Sequence, residues 1–172
     1  LGKFLEGCAE QLTLRARHLA WLHAAPKNAD PDSKAIPVSR IASLTDREKQ
    51  GEDQPLLDLP PVDAAEHLID YLFNDPGPSV GGEVLTHQEI EAFQRNTGTV
   101  LTSWEATTLR RLSGAYLSEL NAATDPQRPP PHIASVESHR AMVASKITTI
   151  FDRLDKQAVK QGPLPRPKRL RT

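Results

Sequence analysis

Two helix-start signals of the same kind, one short helix apart, constrain this chain more than anything else in its sequence. Thr86-His87-Gln88-Glu89 and Thr102-Ser103-Trp104-Glu105 each place a threonine at the N-cap and a glutamate three residues later. The hydroxyl accepts the N3 backbone N–H while the carboxylate reaches back to the N-cap N–H, so two orphan donors are satisfied together. Leu85, before the first box, and Ile90, after it, stand at staple positions, as does Leu101 before the second. Gly98 suits the left-handed position past a helix end. The spacing predicts helices over 86–97 and 102–123. The first carries Ile90, Ala92 and Phe93. The second carries a stripe of Trp104, Leu109, Leu112, Tyr116 and Leu120, with Arg110, Arg111 and Glu119 off it. Gly114 inside it costs about 1 kcal/mol relative to Ala, which a close helix crossing would offset.

The remaining chain is helix separated by long irregular stretches. Residues 1–24 form an amphipathic helix with Phe4, Leu5, Cys8, Leu12, Leu19 and Leu22 on one stripe and Glu6, Glu10, Arg15 and Arg17 elsewhere. Such a stripe must bury itself, in its own core or against a partner. Pro26 ends it, and residues 25–61 lose periodicity and are expected to be a linker or extended arm. Pro60 and Pro61 precede a helix from about Val62 to Phe73, whose stripe is Ala65, Leu68, Ile69, Leu72 and Phe73. With the two capped helices it makes a central domain over 62–123, with the first helix expected apart from it on an arm. Residues 124–134, with Pro129-Pro130-Pro131, form a stiff connector. A C-terminal helix is expected over 135–161, with Val136, Val143, Ile147, Ile150, Phe151 and Leu154 as its stripe. Residues 162–172 are a proline-broken basic tail. No segment reads as a β-strand, so the expected class is all-α. The 15 prolines in 172 residues, near twice the usual ~5%, fit the irregular stretches.

Composition excludes several classes of function. Lys+Arg of 21 against Asp+Glu of 22 gives a net charge of −1, which argues against coating nucleic acid or a membrane by bulk attraction. No window approaches the ~18 apolar residues of a membrane span. Lys3, Glu6 and Glu10 break any apolar run over the first residues, so no secretory signal is expected there. Cys8 is the only cysteine, which removes internal disulfides and cysteine-based metal sites. The histidines, at 18, 23, 67, 87, 132 and 139, form no His-Glu-x-x-His pattern and are expected at surface or boundary positions. There is no phosphate-binding glycine loop and no Gly-x-Ser-x-Gly elbow. No catalytic residue, metal or cofactor is therefore expected.

A helix-turn-helix is the alternative reading of the capped pair, because a short glycine-containing turn joins the two helices. Its recognition helix would begin with Ser103, Trp104, Glu105, Thr107 and Thr108. Glu105 faces phosphates poorly, and Trp104 is better suited to a core. Arg166, Lys168, Arg169 and Arg171 are either a solvated tail or an arm that grips an acidic partner surface or nucleic acid.

The ordered set over residues 85–123 comprises Leu85-Thr86, Glu89-Ile90, Thr97-Gly98, Leu101, Trp104-Glu105, Leu109, Leu112-Ser113 and Tyr116, followed by a proline-rich break. It resembles a pattern in small tail-morphogenesis proteins of tailed phages, often called tail assembly chaperones. The resemblance spans these residues alone. It implies a non-enzymatic virion or assembly protein that contacts a tape-measure, tail-tube, tail or connector subunit within an oligomeric assembly. It also implies a location in the virion, at the tail or its junction with the capsid, or in the host cytoplasm during assembly. Trp104, Glu105, Leu112 and Tyr116 would then hold the helix pair together or form its interface.

Overall fold

The computed structural model describes residues 2–27, 36–134 and Thr148. Among them are five α-helices, α1 (Gly2–His23), α2 (Arg40–Lys49), α3 (His67–Asn74), α4 (His87–Thr97) and α5 (Ser103–Ala122), with a 3-10 turn at Pro55–Leu57. The only extended pairing in that set is an isolated bridge between Val80 and Glu83. The protein is all-α. No described helix is long and apolar enough to cross a membrane. By its contacts the chain divides into a unit spanning Leu1–Ala134 and a second spanning Ser135–Thr172. The expected C-terminal helix over 135–161 lies outside the described residues except for Thr148, which is helical and exposed. The basic tail, with Arg166, Lys168, Arg169 and Arg171, lies outside them entirely.

The first unit is organised around α1 and α5. Gly2, Leu5 and Ala9 stand beside Trp104, Thr107 and Thr108, and Arg17 and His23 stand beside Glu119 and Tyr116. The two helices therefore lie side by side and run in the same direction. The main core cluster joins Leu12 and Ala16 of α1 to Leu68, Ile69 and Leu72 of α3, Leu85, Ile90 of α4, and Leu109 and Leu112 of α5. A second cluster joins Trp21, Leu22 and Ala24 to Leu44 of α2 and Ala123.

Four expectations are corrected here. The first helix is not on an arm: Leu12, Ala16 and Ala20 are fully buried at the centre of the unit, and only its first turns, with Phe4 61% exposed, keep an uncovered apolar face. The stretch 25–61 is not wholly linker, since α2 occupies Arg40–Lys49. Its anchor is Arg40, whose guanidinium donates to the carbonyls of Ala123 at 2.5 Å and Asp125 at 2.9 Å and lies 4.6 Å from the centre of the Trp21 ring. The helix expected from Val62 starts only at His67. Ala65 sits at φ +60°, and α1 holds the preceding turn: Asp63 exchanges two hydrogen bonds with Gln11, and Glu66 pairs with Arg15 at 2.8 Å. Gly114 does not mark a close helix crossing either, because a Cβ there would meet only the Val84 methyls, at 3.8 Å and beyond.

Candidate functional site

The capped pair is built locally. In α4 the Thr86 hydroxyl accepts the Glu89 N–H at 3.3 Å, and the Glu89 carboxylate accepts the Thr86 N–H at 2.6 Å. In α5 the Glu105 N–H donates to Thr102 at 3.3 Å, and the Thr102 N–H donates to Glu105 at 2.7 Å. The N-cap N–H bonds hold both carboxyls below the usual carboxylate range. Glu105 also lies 2.9 Å from Nε2 of His67. Gly98 ends α4 at φ +71°, a conformation that a side chain would disfavour. The Leu101 N–H donates to the Gln94 side chain at 2.8 Å, which closes the turn.

The motif residues converge only in part. Leu85, Ile90, Leu109 and Leu112 share one buried cluster, with Leu101 and Trp104 packed against it. Phe93 is buried and meets the Tyr71 ring at 5.3 Å. Tyr116 belongs elsewhere, beside Phe73 at 5.3 Å between ring centres, with its hydroxyl 3.0 Å from Nδ1 of His23. Thr86 and Glu89 serve the cap and lie apart from the rest. Ser113 links the pair to the preceding loop: its fully buried hydroxyl accepts the Leu85 N–H at 3.0 Å and donates to the Pro78 carbonyl at 2.8 Å.

At the N-terminal end of the α1–α5 seam the two helices leave an open groove of about 350 Å³, lined by Leu5, Glu6, Ala9, Trp104, Thr107 and Arg111 among others. Trp104 is half-buried, with one side on the core and the other on this groove. Its indole N–H has no partner among the described residues. A smaller hollow of about 180 Å³ lies on the far side of α1, beside Phe4, Cys8 and Asp63.

The other end of the seam is closed by polar groups. Glu119 is 2% exposed, and it accepts from Arg17 at 2.8 and 3.0 Å and from Arg128 at 2.8 and 3.0 Å. The bonds from Arg128, helped by Arg17, hold its pKa below the usual carboxylate value against the opposing effect of burial. The Trp21 indole donates to the Arg128 carbonyl at 2.9 Å. His18 is fully buried. Its Nε2 donates to the Leu56 carbonyl at 2.9 Å, since a carbonyl can only accept, and its Nδ1 has no partner among the described residues. Burial lowers the pKa of His18, and lowers that of His23 as well.

Two more expectations are corrected at this end. Glu119 does not lie off the stripe of its helix. It falls three residues after Tyr116 and seven after Leu112, on the buried face, and that spacing could have revealed it. His18 is a core residue, where surface or boundary positions were expected for the histidines. The described residues hold no group of three His, Cys, Asp or Glu side chains able to hold a metal ion.

Compared with protein-family models, curated proteins and solved structures, the chain finds no match.

Proposed function

We propose that this chain is a non-enzymatic protein of tailed-phage tail morphogenesis. In this reading it works through protein–protein contacts, as a tail or connector component or as a tail assembly chaperone. The observation that carries the proposal is the placement of the ordered motif. Its apolar members Leu85, Ile90, Leu109 and Leu112 are packed in one cluster, and its tryptophan stands at the wall of an open, largely apolar groove. A groove of that kind suits a protein surface. The buried polar groups support the same reading, because Glu119, Ser113 and the Trp21 indole spend their hydrogen bonds on the chain itself. Mass spectrometry of purified particles of the source phage tests the proposal. A fixed, small copy number relative to the major capsid protein assigns a structural subunit. Presence only in infected-cell lysate, with the tape-measure or tail-tube protein co-purifying, assigns the chaperone. A salt-dependent retardation of duplex DNA by the full chain, with neither phage association, replaces the proposal with DNA recognition.

A further inference from the structure

We infer that the groove end of the α1–α5 seam is where two copies of this chain associate, about a two-fold axis that runs along the seam. The inference stands whether or not the phage reading does, because it rests on the charge layout around the groove. Glu6 and Glu10 are exposed on the α1 side, and Arg110 and Arg111 are exposed on the α5 side. None of the four forms an ion pair among the described residues. Glu6 and Arg111 line the same groove without pairing across it.

A surface with one acidic and one basic edge is self-complementary under a suitable two-fold. An axis along the seam lays α1 of each copy over α5 of the other. The acidic edge of one copy then meets the basic edge of its partner, twice in each dimer. An axis across the seam would instead set α1 on α1, with glutamate facing glutamate and arginine facing arginine. Charge therefore selects the first arrangement, a packet of four helices with Leu5, Ala9 and Trp104 of both copies at its centre. The contact would cover the exposed part of Trp104 and bring the unpaired Glu6 and Arg111 of each chain into crossed pairs.

The test is sedimentation equilibrium of the full chain and of three variants, with circular dichroism to verify folding. A monomer–dimer equilibrium is expected for the natural sequence. Glu6→Arg alone and Arg111→Glu alone each place like charges in both symmetry-related contacts, and each is expected to raise the dissociation constant about tenfold or more. The two substitutions together in one chain restore opposite charges in every crossed contact and bring the dissociation constant back toward the natural value. With the axis across the seam, the double variant would gain nothing over the singles. A chain that stays monomeric at all concentrations overturns the inference. So does a dimer indifferent to the single variants, or a double variant no tighter than they are.

Discussion

The two ends of the α1–α5 pair are built on opposite plans, and each has a tryptophan to show it. Trp21, at the C-terminal end, is 6% exposed; its indole is bonded to the Arg128 carbonyl and an arginine covers its ring. Trp104, at the N-terminal end, is half-buried and faces a groove. The seam of the first end is closed by Arg17 and Arg128 on Glu119. That of the second end leaves Glu6 and Arg111 on facing walls, unpaired. One end uses its polar groups for stability, and the other leaves them available. A chain of this size can hold its fold at one end and present a surface at the other.

The strongest way to break this contrast is at Glu119. Glu119→Ala leaves two guanidinium groups without their acceptor. Because Arg17 and Arg128 are 42% and 37% exposed, water takes up part of the loss. The expected cost is about 2–3 kcal/mol, read by urea denaturation. Trp104→Ala, at the open end, removes a larger side chain and is expected to cost less, about 1–2 kcal/mol, since only part of the indole leaves water on folding. A Trp104 effect larger than that of Glu119 would reverse the assignment of the two ends.

Acid sharpens the same comparison. His18 and His23 have lowered pKa values in the folded chain. The unfolded chain takes up protons at these sites as the pH falls through about 6.5, and the folded chain resists. Their contribution to stability is thus full above that value and is lost progressively below it. Glu119 acts in a lower window, because its lowered pKa gives stability that is lost only as the pH falls below the unfolded carboxylate value of about 4.5. Thermal melting is expected to weaken between pH 7 and 5, and the slope should flatten in His18→Gln. Equal slopes in the two proteins would remove His18 as the source.

The smallest expected effect has the opposite sign. Gly7 lies inside α1 with nothing within 4 Å of a Cβ built on it. Gly7→Ala is expected to stabilise the chain by about 0.5–1 kcal/mol through helix propensity alone, seen as a higher melting temperature. A loss of stability there would mean that the open end is more crowded than its geometry indicates.

How much of this was legible beforehand depends on the distance in sequence between interacting groups. The capping boxes could be read from the residues alone because every donor and acceptor lies within four positions of its partner. Gly98 could be read for the same reason, and so could the class of fold, which the helical periods carry. The central place of α1, the burial of Glu119 and the anchoring of α2 could not. Arg17 reaches Glu119 across 102 positions, Trp21 reaches the Arg128 carbonyl across 107, and Arg40 reaches Ala123 across 83. Periodicity shows which face of a helix is apolar, but it does not show which element will cover it. The late start of α3 follows the same logic, since Gln11 and Arg15 hold residues 63–66 from another helix. The sequence by itself determined where α4 and α5 begin and where α4 ends, because those signals are local. The tertiary structure alone decided which polar groups are buried and which end of the α1–α5 seam stays open, because only packing brings together charges about a hundred residues apart.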